Sequence, residues 1–189
     1  MPLISVLMPA KDAGETILPA VRSVLRAMPK DSELLVWDDG STDSTKSAVG
    51  SVADPRVRYH HSASSVGSGV ARSTLIDASD SEYVACMDAD DICLPWRFHP
   101  ANLPTDEVPI QFAPMVRFGR SPKDLRFTRP QVLSPSEVSM ALLMHNPLAQ
   151  PTMIARRTAL TEIGGYSAAR LGQDYELWLR AAASGVRME

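Results

Sequence analysis

The fold is decided by residues 83–91, YVACMDADD, in which a short apolar, β-prone run ends in three carboxylates. In an extended chain successive side chains point to opposite faces, so Asp88 and Asp90 project to the same side. Mg²⁺ and Mn²⁺ prefer oxygen ligands, and one or two carboxylates leave coordination positions free for phosphate oxygens. Asp is also common in turns. The stretch therefore predicts a buried strand followed by either a divalent-metal site or a solvated acidic loop.

Strand-like and helix-like segments alternate on the N-terminal side of this stretch. Strands are predicted at 3–8 (ended by Pro9), 33–37 and 57–60, and helices from Thr16 to about 28, from the 38–43 turn to about 52, and at 69–78. The first helix has its apolar residues at helical spacing, and Thr16 is placed to cap it. This alternation predicts an α/β fold with a parallel sheet covered by helices on both faces.

The second half of the chain has a different character. Residues 95–109 are rich in proline and predict an irregular segment. The predicted elements that follow are strands at 110–118, 125–128 and 152–155, a helix from Ser134 to about 144, a turn at 164–166 and a last helix capped by Asp174. The start of the 134–144 helix combines a Ser cap, a proline at the first position and Glu137 at the third.

Composition is that of a soluble globular protein. The chain has 189 residues, 44% of them hydrophobic and 22% charged, which suits a single domain with a sizeable core. The net charge of −3 argues against nucleic acid or an anionic membrane surface as the main partner. With no run long enough to span a membrane and no signal-peptide pattern, we expect a cytoplasmic protein with reduced cysteines. Peripheral membrane attachment and homo-oligomerisation stay open.

Acidic side chains follow three of the predicted strands. Asp12, Asp39 and the pair Asp88 and Asp90 each come just after a strand ends. Ligands of open α/β sheets sit beyond the carboxyl ends of the strands. We therefore expect these carboxylates to converge on one edge of the sheet.

The strand at 4–8 and six further segments, in this order, resemble the family 2 inverting glycosyltransferases of the GT-A fold. The first is ISVLM at 4–8, and the other six follow it. They are VWDDGSTD at 36–43, GSGVAR at 67–72, MDADD at 87–91, QPTMI at 150–154, IGGY at 163–166 and QDYELWLR at 173–180. The resemblance covers nearly the whole chain. It implies a GT-A-like, Rossmann-like single domain in which residues 1–95 form the donor-binding half and residues 96–189 the acceptor-side half.

The resemblance also implies an activity. The implied reaction is the metal-dependent transfer of a sugar, with inversion, from a UDP-, GDP- or dTDP-sugar to a hydroxyl of a carbohydrate or lipid-linked acceptor. The resemblance places this reaction in cell-envelope polysaccharide synthesis. It would take place at the inner face of the membrane if the protein attaches there. Mn²⁺ or Mg²⁺ would be the cofactor. By position, the implied roles are as follows: Pro9 and Asp12 line the nucleotide pocket, Asp39 bonds the nucleobase, Arg72 lies near the diphosphate, Asp88 faces ribose and metal, Asp90 binds the metal and Asp174 is the catalytic base.

The chain departs from the family pattern at several positions. Lys11 stands where an aromatic side chain is frequent, Ser73 replaces an Asn, and Gln173 leaves Asp174 as the only carboxylate of the late pair. Family members usually carry further acceptor-site elements, so we expect additional residues beyond Glu189.

Two other functions stay open at the level of sequence. A nucleotidyltransferase also uses paired carboxylates and a divalent ion. It usually has a Gly-rich, basic phosphate loop after its first strand, which residues 10–14 match poorly. The other alternative is a non-catalytic module that binds nucleotide sugars, which the substitution at Gln173 favours.

Overall fold

The computed structural model describes residues 1–119, 126–127 and 134–189. Its strands are β1 (Ile4–Ala10), β2 (Glu33–Asp38), β3 (Val57–His61), β4 (Tyr83–Cys86), β5 (Ile110–Phe112), β6 (Val116–Arg117), β7 (Arg126–Phe127) and β8 (Met153–Arg156). Its α-helices are α1 (Ile17–Ala27), α2 (Thr45–Gly50), α3 (Ser68–Asp77), α4 (Pro135–Leu142), α5 (Arg157–Glu162) and α6 (Gln173–Ala183). Of the predicted strand at 125–128, positions 125 and 128 lie outside the described residues.

A six-stranded sheet in the order β3-β2-β1-β4-β8-β5 forms the centre of the structure. β1 pairs in parallel with both β2 and β4, and β2 pairs in parallel with β3, whereas β8 is antiparallel to β4 and β5. The chain moves from β1 to β2 and β3 on one side and then returns to place β4 on the other side of β1. This reversal creates a crevice at the carboxyl ends of β1 and β4, where α/β sheets bind their ligands.

Helices cover both faces of the sheet, as the sequence predicts. Alternate residues of β1 point to opposite faces, with Val6 packed in the cluster that contains α1 and Leu7 in the cluster that contains α3 and α6. The second cluster also includes Trp178 of α6, which is fully buried and meets the Phe112 ring edge-on at 5.0 Å between centroids. In the described part of the chain, every helix is too short or too polar to cross a bilayer.

Pro9 does not end the first strand, contrary to the prediction. β1 continues to Ala10, with Pro9 opposite Trp37 of β2. The main-chain oxygen of Leu7 faces the β4 side, where it accepts from the Met87 amide, and residues two apart face the same neighbour. Pairing with β4 stops at Leu7, so the missing N–H of Pro9 falls where no ladder bond is needed.

Three other local predictions need correction. Asp174 is not the N-cap of α6: Gly172 caps it in the left-handed conformation (φ 67°), and Asp174 is the second helical residue. Thr16 occupies the N-cap position of α1 as predicted, but its hydroxyl donates to the Ala13 carbonyl, at 3.4 Å, and makes no capping hydrogen bond to the helix. The predicted strand at 110–118 is split into β5 and β6 around Pro114, because proline cannot supply a ladder N–H. The capping box of α4 between Ser134 and Glu137 is confirmed.

Truncation of Trp178 should destabilise the fold strongly. Trp178→Ala removes a fully buried aromatic ring from α6, and such changes cost about 3–5 kcal/mol in the free energy of unfolding. The adjacent Leu179 is 39% exposed, so Leu179→Ala is the matched control and should change stability by about 0.5 kcal/mol or less. Urea unfolding followed by circular dichroism measures both. Equal effects would contradict the packing described for α6.

Candidate functional site

A cleft of about 710 Å³ opens at the carboxyl ends of β1, β2 and β4. Ligand pockets for small molecules commonly have volumes of about 300–1,000 Å³. All seven residues that the sequence singles out line this cleft: Pro9, Asp12, Asp39, Arg72, Asp88, Asp90 and Asp174. The expected convergence of carboxylates at one edge of the sheet is therefore present. Their roles stay predictions.

Asp88 forms an ion pair with a buried arginine. Arg72 is only 4% exposed, and its Nη2 donates to Asp88 Oδ1 at 2.7 Å. The same guanidinium lies over the Tyr166 ring, 5.9 Å from its centroid. Burial raises the pKa of Asp88, and Asp90 adds to this, although the charge of Arg72 opposes both. The net pKa of Asp88 therefore lies above its ordinary value, mainly because the carboxyl group is buried.

The residues after β4 fit a divalent cation that a ligand would help to hold. Asp90 is exposed, and burial together with repulsion from Asp88 and Asp90 raises the pKa of the neighbouring Asp91. Within the described ranges, no group of three or more His, Cys, Asp or Glu side chains surrounds a common metal position. Two carboxylates suffice for Mg²⁺ or Mn²⁺ when substrate phosphates complete the coordination.

Asp39 holds the loop that leads into α3. Its Oδ1 accepts from the Val66 amide at 2.7 Å, and its Oδ2 accepts from the Ser65 hydroxyl at 2.6 Å and the Gly67 amide at 3.0 Å. Burial would raise the pKa of Asp39, but these donors outweigh it and the net pKa lies below the ordinary value. Asp39 thus shapes one wall of the cleft.

The loops after β1 and β2 are tied together. Asp12 adopts a positive φ of 47°, and its Oδ1 accepts from the Thr42 amide at 2.9 Å. Gly14 donates its amide to Asp43 Oδ2 at 2.8 Å, and a Cβ at Gly14 would lie 2.2 Å from Ser44 Oγ. These close approaches leave no room for a Cβ at position 14, so they favour glycine there. Lys11, which lines the cleft in place of the expected aromatic ring, is exposed.

The N-terminus of α6 brings Asp174 and Gln173 to the cleft. Asp174 Oδ2 accepts from Asn146 Nδ2 at 3.0 Å, while Gln173 Nε2 donates to Ser68 Oγ at 2.8 Å. Gln173, which stands where the family has the first acidic residue of the pair, therefore links α6 to the start of α3. Asp174 takes its hydrogen bond from a different segment of the chain.

Sequence reasoning missed two buried side chains near the cleft. Gln150 lines it and donates to Cys86 Sγ at 3.1 Å and to the Tyr166 hydroxyl. Arg97 is buried, and its guanidinium donates to the Pro151 carbonyl at 2.7 Å and to the Cys86 carbonyl at the end of β4. Arg97 lies in the proline-rich segment, where spacing carries no sign of burial. Gln150 opens the quoted motif at 150–154, which was the available signal.

Comparison with solved structures defines the class of protein. Staphylococcus aureus TarS 1–349 in complex with UDP superposes with a TM-score of 0.78 and 21% identity, over 100% of this chain and 57% of that one. The mannosyltransferase PcManGT of Pyrobaculum calidifontis, in complex with GDP-Man and Mn²⁺, superposes with a TM-score of 0.75 and 18% identity, over 99% of this chain and 54% of that one. The fold is that of the GT-A glycosyltransferases.

The chain belongs to glycosyl transferase family 2, which matches residues 5–163. A curated relative in Escherichia coli, UDP-Glc:alpha-D-GlcNAc-diphosphoundecaprenol beta-1,3-glucosyltransferase WfgD, is 34% identical over 90 residues, or 48% of this chain and 36% of that protein. This chain covers 36% of the length of WfgD, 57% of the TarS structure and 54% of the PcManGT structure. The fold class and family expected from the motifs are confirmed.

The lowered pKa of Asp39 leads to a prediction about acid stability. The unfolded chain takes up this proton first, at its ordinary pKa of 3.8, so the contribution of Asp39 is complete above that value. It is lost as the pH falls through the lower folded-state pKa. Asp39→Asn, which turns an amide NH₂ toward main-chain donors, should lower stability at pH 7, and its deficit should shrink as the pH falls below about 4.

Urea unfolding at several pH values between 7 and 3 tests this prediction. The exposed Asp80 provides the control, Asp80→Asn, which should have little effect at pH 7. A deficit of Asp39→Asn that stays constant with pH would contradict the assignment of the loop hydrogen bonds to an ionised carboxylate.

Proposed function

We propose that the chain is a metal-dependent, inverting glycosyltransferase that moves a sugar from a nucleoside-diphosphate donor to an acceptor hydroxyl. The observation that carries the proposal is that seven residues, chosen from separated motifs, line one cleft at the topological switch point. The activities and ligands of similar proteins agree with it. WfgD is described as acting with UDP-Glc on a diphosphoundecaprenol-linked sugar, and PcManGT was solved with GDP-Man and Mn²⁺.

The donor would occupy the side of the cleft built from β1, β2 and α3. Pro9, Asp12 and Asp39 line the part that would take the nucleoside, with Oδ1 of Asp39 as the acceptor for a base N–H. Arg72 lies with Asp88 at the end of β4, where its positive charge would face the diphosphate. This division makes residues 1–95 the donor half and residues 96–189 the acceptor half.

Asp88 and Asp90 would hold Mg²⁺ or Mn²⁺ together with the diphosphate oxygens. When bound, the ion supplies positive charge where the leaving diphosphate develops negative charge. Arg72 is fixed by its bond to Asp88 and adds a second positive charge without reorganising.

Asp174 would act as the general base from α6. The acceptor oxygen forms a bond to the anomeric carbon while the bond from that carbon to the diphosphate oxygen breaks, and the leaving oxygen keeps the electron pair. The hydroxyl proton moves to the Asp174 carboxylate. Attack opposite the leaving group inverts the configuration. The acceptor would be a carbohydrate or a lipid-linked sugar, and the product cell-envelope polysaccharide made at the cytoplasmic side of the membrane.

Removal of Asp90 should separate nucleotide binding from its metal dependence. In a thermal-shift panel of UDP-, GDP- and dTDP-sugars, Mn²⁺ should raise the ligand-induced increase in Tm of the wild type, because only ligands of the folded state stabilise it. Asp90→Ala should abolish the effect of Mn²⁺ while keeping part of the effect of nucleotide. Asp91→Asn is the adjacent control and should retain the metal effect. An Mn²⁺ response of Asp90→Ala equal to that of the wild type would contradict the metal assignment.

Replacement of Asp174 should stop transfer without weakening donor binding. Asp174→Asn preserves shape but cannot take the acceptor proton, and loss of a general base reduces kcat by about 10²–10⁴-fold. Assays should follow release of nucleoside diphosphate with acceptor present and measure donor affinity by calorimetry. Unchanged transfer would reassign the base, and release of pyrophosphate in place of nucleoside diphosphate would favour a nucleotidyltransferase.

A further inference from the structure

The loop between α4 and β8 sends one side chain to the candidate base. Asn146 donates from Nδ2 to Oδ2 of Asp174 at 3.0 Å, across 28 positions of sequence. Both side chains are half-buried, and Asp174 lines the cleft. The contact therefore lies at the cleft, where water competes with it less than at an open surface.

The orientation of the Asn146 amide follows from its second hydrogen bond. Its Oδ1 accepts from the Leu148 amide at 3.1 Å, the local arrangement in which an Asn side chain bonds the main chain two residues on. Rotating the amide by 180° would turn Nδ2 toward the Leu148 N–H and Oδ1 toward a carboxylate oxygen, so both bonds would be lost. Only one orientation of Asn146 satisfies both neighbours.

The frame around this contact is held by a neighbouring bond. Tyr175, the residue after Asp174, donates its hydroxyl to the Leu142 carbonyl at 2.6 Å, at the end of α4. Leu142 is itself buried, at 1% exposure. The segments that carry Asn146 and Asp174 are thus tied together beside the pair, which limits the movement of either side chain.

Gln173 adjoins Asp174 in sequence, but its side-chain amide bonds Ser68 and not the Asp174 carboxylate. Its amide bonds Ser68 Oγ, and its side-chain carbons lie 3.2–3.3 Å from the position of a Cβ built on Gly69. Gln173 is therefore packed against α3. The hydrogen bond to the base comes from Asn146, a residue that lies outside the motif in which the acidic pair was expected.

We propose that Asn146 is the positioning residue for Asp174. This inference rests on the proposed function, because it takes Asp174 to be the base. By donating to Oδ2, Asn146 fixes the carboxylate rotation and leaves Oδ1 free to accept the proton of the acceptor hydroxyl. The amide makes this contact without placing a second negative charge beside Asp174.

Two variants separate this role from a structural role in the loop. Asn146→Asp keeps an oxygen to accept from the Leu148 amide but replaces the donor with a negative charge beside Asp174. Asn146→Ala removes both bonds. If Asn146 positions the base, both variants should lower kcat by about 10–100-fold, with donor Kd and KM little changed. If Asn146 only shapes the loop, Asn146→Asp should be close to wild type.

Thr152→Val is the matched control in the same segment, because it removes the hydroxyl bond to the Ala149 carbonyl (2.8 Å) and leaves Asn146 untouched. Its kcat should stay within about twofold of wild type, and thermal melts should confirm that all three variants fold. A wild-type kcat in Asn146→Asp, or equal losses in kcat and donor affinity, would overturn the positioning role. Asp174→Asn separates the two proposals. If Asp174→Asn stays active, the assignment of Asp174 as the base is wrong. If Asp174→Asn is inactive and Asn146→Asp has wild-type activity, only the positioning role of Asn146 is wrong.

Discussion

The position of β1 between two parallel neighbours is the constraint on which the rest of the structure depends. Its main-chain groups bond β2 on one side and β4 on the other, so the three strands end at one edge of the sheet. Each strand then releases an acidic loop into the same crevice. The cleft is therefore a consequence of strand order, and its wall residues come from segments far apart in sequence.

The carboxylates in this cleft differ in how many hydrogen-bond donors surround them, and this difference separates those that build the cleft from those proposed to bind a cation. Asp39 is satisfied by three donors from the loop before α3, and Asp12 by the loop after β2, so both help to build the cleft. Asp88 has one arginine, and Asp90 is open to solvent. The proposed cation would bind where protein donors are fewest. That place is the end of β4, where a leaving diphosphate would also need positive charge.

Side-chain amides and guanidinium groups hydrogen-bond to these carboxylates or to the main chain next to them. Arg97 donates to the Cys86 carbonyl, just before the acidic loop, and to the Pro151 carbonyl, next to Gln150. These two hydrogen bonds connect β4 to the turn before β8. A buried guanidinium is costly unless its donors are satisfied. Here Nη2 of Arg97 donates to main-chain carbonyls and Nη1 donates to Met87 Sδ at 3.1 Å. Asn146 does for Asp174 what Arg72 does for Asp88. Asp88 and Asp174 thus each have one oxygen held by a donor from another segment.

Local pattern determined much of this protein by itself: the apolar runs of β1, β2 and β4, the amphipathic α1, the capping box at Ser134 and the acidic residues after each strand. These features depend on the spacing of side chains along one segment, which sequence states directly. Tertiary structure alone decided that Pro9 stays within β1, that Arg72 and Arg97 are buried, and that Asn146 contacts Asp174. Each of these depends on which groups a distant segment brings within hydrogen-bonding reach, and the order in which strands assemble sets those distances.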